Sequence, residues 1–305
     1  MKRYLLLLIF LSLLPLKVSA YDAKIEGIYY IFYEDEAIVT YAYNTSIFLD
    51  TYESPYWGAV VIPEYVTNRG KTYRVTKIGI HAFDGCKGLT SIDIPKSVTC
   101  IDDFAFNKCS GLLSVIIPNG VNTIGHGTFQ SCSGLTDITI PNSVSSIGPY
   151  AFSGCCDLIS IIIPNSVTRI GEFAFNGCSS LTSISIPNSV KRIDNSAFAN
   201  DTTLTSVTIG NGVTKLGDLV FNNCQNLATI TIPRSIETIG RFAFNGCSLL
   251  KDFHCYAEKI PQVKKNTFKQ SYYKNATLHV PASSINLYRT TKIWCNFGTI
   301  VAIEK

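Results

Sequence analysis

The chain has 305 residues, with 26 lysines and arginines against 22 acidic residues and a formal net charge of +4. Three of the basic residues lie in the first 20 residues, which contain no acid, so the remainder carries 23 basic and 22 acidic side chains. This balance lacks the basic surface of nucleic-acid-binding proteins, and we expect no nucleic acid among the partners. Residues 251–305 hold nine bases against three acids, so this end either meets an anionic surface or is a solvated cap.

Residues 1–20 have the pattern of a secretory signal peptide. Lys2 and Arg3 precede an apolar run over residues 5–16, and small residues follow up to Ala20. The run is too short to span a bilayer as a stable helix, and no later stretch is longer and as apolar. No cysteine follows directly that would carry a lipid anchor. We therefore expect export without a membrane span, to the cell surface or the medium.

Residues 21–75 are predicted to form an amino-terminal β cap. The β-rich runs 27–33 and 37–43 are separated by the acidic turn 34–36 and indicate a hairpin. The runs 59–63 and 71–76 resemble a first coil that is lengthened by an insertion at residues 67–70.

Residues 76–252 repeat with a period of 23 residues. Eight phenylalanines and eight leucines keep this spacing: Phe83, Phe106, Phe129, Phe152, Phe175, Phe198, Phe221 and Phe244, then Leu89, Leu112, Leu135, Leu158, Leu181, Leu204, Leu227 and Leu250. A fixed period of this length predicts a solenoid, in which each coil buries its apolar side only against its neighbours.

One coil is illustrated by residues 181–187. Ile184 and Ile186 alternate with polar residues, as in a strand with one side turned to a core. Pro187 has no N–H to donate, so the strand should end there. Apolar residues between 190 and 198 recur at three- and four-residue spacings, which predicts turns or a short 3₁₀ stretch on the return limb rather than a second strand. Stacked coils then give short parallel strands on one face.

Eleven cysteines in an exported chain normally indicate disulfides, but most of these keep the repeat spacing. Seven lie in one column: Cys86, Cys109, Cys132, Cys155, Cys178, Cys224 and Cys247. Parallel Cβ vectors do not favour the torsion of a disulfide, so we predict a buried column of reduced thiols. Four lie off the column, namely Cys100, Cys156, Cys255 and Cys295, and among them Cys255 with Cys295 is the favoured pair.

Two positions depart from the repeat. Asp201 stands where the column has cysteine, and Gly210 stands where most coils have proline. An aspartate in a turn can bond nearby backbone N–H groups, so ordinary drift of the repeat explains it, with a local ligand site as the alternative.

Residues 253–305 are predicted to form a mixed carboxy-terminal cap, because the register slips there. Residues 276–281 resemble one more strand, and residues 299–303 a last one. Between them, Ser283 or Ser284 is placed to cap a short helix. Its inner side would carry Ile285, Tyr288, Trp294 and Phe297.

The repeat pattern Leu-x-x-Ile-x-Ile-Pro-x-Ser-Val-x-x-Ile-Gly-x-x-Ala-Phe-x-x-Cys closely resembles the BspA-like leucine-rich repeats of bacterial surface proteins. Residues 181–201 follow it with Asp at the Gly and Cys positions. The resemblance implies a curved leucine-rich repeat solenoid, and members that are secreted or at the cell surface, bind proteins and act in adhesion. It carries no catalytic motif. The predicted fold is a right-handed β-solenoid with both caps, although an anchor or sorting domain like those of larger relatives is not evident.

The sequence offers little for catalysis or metal binding. It lacks His-Glu-x-x-His, Gly-x-Ser-x-Gly, a phosphate loop and Cys-x-x-Cys. His81 and His126 fall in turns, His254 in a strand and His279 in the closing cap, so we expect no two histidines to share a coil position. His254 and Cys255 should point to opposite sides of a strand, which excludes a nucleophile and base pair. We expect no enzyme activity, no cofactor and no metal.

The predicted binding surface is the strand side of the coils. Its outward positions are Asp93, Ile116, Thr139, Ile162, Ser185, Thr208 and Thr231, followed after the prolines by Asn119, Asn142, Asn165 and Asn188. One interpretation is that the small polar residues at these positions only keep the sheet soluble; the other is a binding site, because exposed isoleucines begin an apolar patch. Basic residues of the following turn, Arg169, Lys191, Arg192 and Lys215, are placed to rim it. The alternative surface is the irregular limb, with Phe104, Tyr150, Phe173 and Phe242.

These features favour a protein-binding scaffold in adhesion to a host matrix or cell-surface protein. The alternative is a structural or assembly component of the bacterial envelope, which has the same sequence features.

Overall fold

The computed structural model describes residues 21–41 and 56–303. The predicted signal peptide and the end of the run 37–43 lie outside these residues. The strands of the first part are β1 (Ala23–Ile25), β2 (Ile28–Tyr33), β3 (Glu36–Thr40), β4 (Gly58–Val61), β5 (Tyr65–Asn68), β6 (Lys71–Ile78), β7 (Leu89–Asp93), β8 (Cys100–Ile101), β9 (Ser114–Ile116), β10 (Thr123–Ile124), β11 (Asp137–Thr139) and β12 (Ser146–Ile147).

The second part continues the same alternation of longer and two-residue strands. Its strands are β13 (Arg169–Ile170), β14 (Ser183–Ile186), β15 (Arg192–Ile193), β16 (Ser206–Ile209), β17 (Lys215–Leu216), β18 (Thr229–Ile232), β19 (Thr238–Ile239), β20 (Asp252–Cys255), β21 (Gln262–Val263), β22 (Thr277–Val280) and β23 (Thr299–Ala302). One α-helix, α1 (Ile285–Thr290), and 3₁₀ turns at Tyr273–Asn275, Ala282–Ser284 and Trp294–Asn296 lie in the closing cap.

The amino-terminal cap is a sheet of order β1-β2-β3-β6-β5. The predicted hairpin is confirmed, since β2 and β3 are antiparallel. The expected insertion at residues 67–70 is the tip of a second hairpin between β5 and β6, where Arg69 and Gly70 both have positive φ. Strand β6 also pairs in parallel with β8, so the cap continues directly into the coils.

The longer strands form two parallel sheets, one after the other along the solenoid, which together we call the long-strand ladder. It consists of a sheet of order β11-β9-β7-β4 and a sheet of order β14-β16-β18-β20-β22-β23. Residues 158–164 lie between the two sheets, and within that described stretch the chain forms no strand. The β-solenoid with 23-residue coils and parallel strands is therefore confirmed.

The return limb corrects one expectation. Each coil from β8 onwards has a second strand of two residues, and seven of these form a parallel sheet, the short-strand ladder. Arg169 pairs with Arg192 and Ile170 with Ile193, so the inward isoleucine and the outward residue before it repeat in register. A strand of two residues is too short to show alternation in sequence. The turns that we expected lie on both sides of it, as at residues 188–189 and 195–200 around Arg192–Ile193.

The core is built of columns that run through the coils. The phenylalanine rings from Phe83 to Phe244 stack nearly parallel, as for Phe106 and Phe129 at 5.3 Å between centroids and 1° between planes. Each such ring is fully buried. Aromatic stacking of this kind contributes about 0.5–1.5 kcal/mol per pair beyond the area buried, so the column links each coil to the next.

The cysteine column is buried, as predicted, and its thiols bond to backbone. Cys132 donates to the carbonyl of Phe106 at 3.0 Å, and Cys224 to that of Phe198 at 3.1 Å. Six column cysteines, from Cys109 to Cys247, are free thiols. Burial raises the pKa of Cys247 to about 12, so the thiol stays protonated and unreactive at neutral pH.

The expected disulfide between Cys255 and Cys295 is wrong, because both are free thiols. Cys255 faces the core and lies 3.2 Å from the hydroxyl of Tyr288. Cys295 is exposed on the 3₁₀ turn Trp294–Asn296. One side chain is therefore in the core and the other is in solvent, although both cysteines belong to the same cap.

The carboxy-terminal cap closes the core with aromatic side chains. Tyr288 of α1, Trp294 and Phe297 are buried, as predicted. The helix ends at Thr290, so Trp294 and Phe297 lie beyond it rather than on it. Ser284 precedes the helix but makes no side-chain cap, since its hydroxyl donates to the carbonyl of Glu258 at 2.8 Å. Among the described residues, no helix has the length and hydropathy to cross a membrane.

Candidate functional site

The predicted binding residues lie in one row on the solvent side of the long-strand ladder, which we call the strand face. Asp93, Ile116, Thr139, Ile162, Ser185 and Thr208 are all exposed. Register pairs join Ile116 to Thr139 and Ser185 to Thr208. The structure therefore places these residues at equivalent positions of successive coils, while their role in binding stays a prediction.

Two coils of this face are unusually apolar. The exposed fraction of the side chain is 74% for Ile116 and 85% for Ile162. Two further apolar residues, which we did not predict, are exposed on the same coils, with fractions of 54% for Leu113 and 57% for Ile159. The four form the apolar patch. The signal was present in the sequence, because the position after the column leucine is Thr or Ala in five other coils.

Ile159 and Ile162 lie in the stretch that interrupts the long-strand ladder. Ile161 and Ile163 remain buried on either side of Ile162, so side chains still alternate in and out without strand pairing. This half of the apolar patch thus coincides with the interruption of the long-strand ladder, whereas Ile116 belongs to the paired strand β9.

Arg169 and Arg192 lie on the short-strand ladder, next to the strand face. Both bond the carboxylate of Asp194: Arg169 Nη2 donates to Oδ2 at 2.7 Å, and Arg192 Nε donates to Oδ1. Asp194 is buried, so the two guanidinium groups supply the partners that a buried carboxylate needs. The pair therefore has a structural role, and Lys191 and Lys215 nearby are exposed without sharing it.

The irregular limb carries a second regular row of aromatic rings. His81 and Phe104 stack at 5.1 Å, and Tyr150 and Phe173 at 4.8 Å. These four residues have φ between 55° and 58°, a left-handed conformation that is uncommon for large side chains. The rings stack on one another and are half-buried, so the row stabilises the turns of neighbouring coils.

Asp201 is not accessible to a ligand. Its side chain is fully buried, and Oδ1 accepts the backbone N–H of Cys178 at 2.8 Å. The backbone bond that we expected for an aspartate at this position is present. The alternative of a local ligand site is wrong, because the carboxylate points into the cysteine column.

The expectation for the histidines is wrong for one pair. His254 of β20 lies opposite His279 of β22, so these two share a coil position. They are 25 residues apart, because the coil between them is two residues longer than the repeat. His254 and Cys255 do point to opposite sides, as expected: His254 is half-buried on the strand face and Cys255 is in the core. Burial and the neighbouring His279 lower the pKa of His254.

The repeat region matches a family model in six copies. The family is described as the BspA type leucine rich repeat region, and the match covers residues 70–182 and 168–291. The comparison with curated proteins finds no sequence relative.

Solved structures show the same architecture. A leucine-rich repeat protein from Bacteroides ovatus is 28% identical, with 93% of this chain and 77% of that chain covered and a TM-score of 0.72. The leucine-rich repeat protein of T. pallidum is 27% identical, with 75% of this chain and 90% of that chain covered and a TM-score of 0.50. Since the family model spans well over half of the chain, this protein belongs to the BspA-type leucine-rich repeat family.

Proposed function

We propose that this protein is an exported scaffold that binds another protein through its strand face, in adhesion to a host or neighbouring cell. The supporting observation is the apolar patch of Leu113, Ile116, Ile159 and Ile162, which is exposed among polar positions of the same rows. A cluster of exposed apolar side chains with a polar surround is typical of a protein-interaction site.

The neighbouring positions fit such a site. Thr139 lies between Ile116 and Ile162 in the row, and Ser185 and Thr208 continue it. Lys191 and Lys215 place positive charge one ladder away. A partner covering the patch would bury the isoleucines at the centre and meet polar groups at the rim, which is the usual arrangement of an interface.

The test replaces Ile116 and Ile162 together by Ser. A photo-crosslinking amino acid at Thr139 reports contacts with the patch, and the same group at Thr123, exposed on the short-strand ladder, serves as the control position. Crosslinked partners are sought separately from host matrix proteins and from the envelope of the producing cell. We expect a partner from the host pool that crosslinks at 139, fails to crosslink at 123 and is lost with the double substitution.

The matched control replaces two exposed leucines far from the patch, Leu249 and Leu287, by Ser. This variant loses the same type of surface and should retain the partner. Equal crosslinking at both positions, or a partner that survives the patch substitution but not the control, contradicts the proposed site. A partner from the envelope pool alone contradicts the adhesive role.

A further inference from the structure

Three side chains of metal-ligating type meet near the carboxy-terminal end of the strand face. Asp252 and His254 are two residues apart on β20, so both project to the outward side. His279 projects from the neighbouring strand β22, directly opposite His254. Their potential ligand atoms all lie within 4.8 Å of one another.

The geometry within this cluster is close. The imidazole rings of His254 and His279 are nearly parallel, with 4.1 Å between their centroids and 14° between their planes. His279 Nε2 lies 2.9 Å from Asp252 Oδ1. The two strands hold the histidines in register, so their closeness does not depend on a mobile loop.

The charges of the cluster suit a cation. The two imidazoles and the carboxylate offer three donor atoms to one ion. Neutral imidazole is the form that binds metal ions. The carboxylate of Asp252 adds a negative charge that a bound cation would neutralise.

We propose that Asp252, His254 and His279 bind a divalent transition-metal ion, with Zn²⁺ as the best match. Two imidazole nitrogens and one carboxylate oxygen are a typical zinc donor set, and three protein ligands leave a fourth position for water. Calcium and magnesium prefer all-oxygen sites and are poor matches. The expectation of no metal rested partly on sequence spacing, in which the alignment of His254 with His279 is not evident.

The site requires a small adjustment of side chains. Ligand atoms around a tetrahedral Zn²⁺ are about 3.3 Å apart, given metal–ligand distances near 2.0–2.1 Å. The cluster spans up to 4.8 Å, and the side chains of Asp252 and His279 are partly exposed. Rotation about their side-chain bonds can therefore bring the ligand atoms to the spacing of a zinc site without moving the strands.

His81 provides a matched control within the same chain. Its Nδ1 lies 2.8 Å from Asp84 Oδ2, so it has the same histidine–aspartate contact. The nearest histidine along that limb, His126, is separated from it by the ring of Phe104. Both places therefore have a histidine–aspartate contact, but the proposed site also has a second histidine beside it.

The experiment titrates Co²⁺ and then Zn²⁺ into the purified full chain, without an affinity tag and with its accessible thiols alkylated. Visible absorption of bound Co²⁺ and calorimetry of Zn²⁺ report the number of sites and the affinity. We expect one ion per chain, and a loss of affinity of about tenfold or more in His254→Gln and in His279→Gln. His81→Gln should bind as the unsubstituted protein does.

Circular dichroism of each variant checks that the solenoid is intact. The proposal is overturned if no saturable binding is found, if both His254→Gln and His279→Gln bind normally, or if His81→Gln weakens binding as much as they do. A cobalt spectrum with strong sulfur charge-transfer bands would also overturn it, because the ion would then lie on cysteines.

Discussion

The replacement of Asp201 by Cys is expected to stabilise the protein at neutral pH. Asp201 occupies a fully buried position of the cysteine column. Its Oδ1 accepts one backbone N–H, that of Cys178, but its buried Oδ2 has no hydrogen-bond partner. A thiol at this position can donate to the carbonyl of Phe175, as Cys224 donates to that of Phe198 at 3.1 Å.

The magnitude follows from the unsatisfied oxygen and the burial of charge. A buried polar group without a partner costs about 1–3 kcal/mol, and a charged one more. Burial raises the pKa of Asp201 well above its ordinary value. Between the two pKa values the native state binds more protons than the unfolded state, so its stability falls as pH rises. We expect Asp201→Cys to gain about 1–3 kcal/mol at pH 7 and less near pH 4.

The assay measures the free energy of unfolding by guanidinium at about pH 4.5 and 7.5, because the carboxyl group of Asp201 is expected to titrate largely between these values. Asp201→Asn keeps the shape and removes the titration, so it should show a weaker fall in stability between the two pH values. Asp157→Asn removes an exposed carboxylate and should retain the pH response of the unsubstituted chain. The reasoning is refuted if Asp201→Cys is no more stable at pH 7.5, or if Asp201→Asn responds to pH as the unsubstituted chain does.

Three further results are expected. Phe175→Ala should lower the free energy of unfolding by about 3–5 kcal/mol, because the buried ring stacks on a ring on either side, with 5.2 Å between centroids. The denaturation midpoint measures this change, and an equally large destabilisation by Phe173→Ala, which removes a half-buried ring, would contradict the reasoning. Iodoacetamide should label Cys295 first in the native protein, and the six column thiols from Cys109 to Cys247 only after denaturation. Mass spectrometry identifies the labelled residues, and labelling of the column thiols in the native protein would show that the reagent reaches them there. Tyr288→Phe should lower the free energy of unfolding by about 1–2 kcal/mol, since its hydroxyl donates to the carbonyl of Ala257 at 2.8 Å; the exposed Tyr272→Phe is the control and should have no comparable effect.

The sequence predicts the columns of the solenoid because each column residue recurs at a constant spacing. Phe175 and Cys178 are buried as expected, and Ile162 is exposed as expected between two buried isoleucines. These positions depend only on the alternation of a strand and on the stacking of identical coils. The same argument supplies the row of candidate binding residues, although it does not say what binds there.

Features that depend on pairing rather than on spacing were not predicted. The strand Arg169–Ile170 is two residues long, so alternation cannot reveal it. The shared contact of Arg169 and Arg192 with Asp194 crosses between coils, and Asp194 stands where the repeat has Gly. The departure was visible in the sequence, but its partners lie in two different coils and become evident only when the coils are stacked.

Each candidate site includes a place where a coil departs from the common pattern. Ile162 belongs to the stretch that interrupts the long-strand ladder, and His279 follows a coil two residues longer than the others. A regular repeat places the same kind of residue at each coil, so it stabilises the solenoid without distinguishing one coil from another. Recognition of one ligand requires that some coils differ, and departures from a locally consistent pattern are where function is expected. In this chain the departures put apolar groups in one segment of the strand face and metal-ligating groups in another, so the two proposals can be tested independently on the same scaffold.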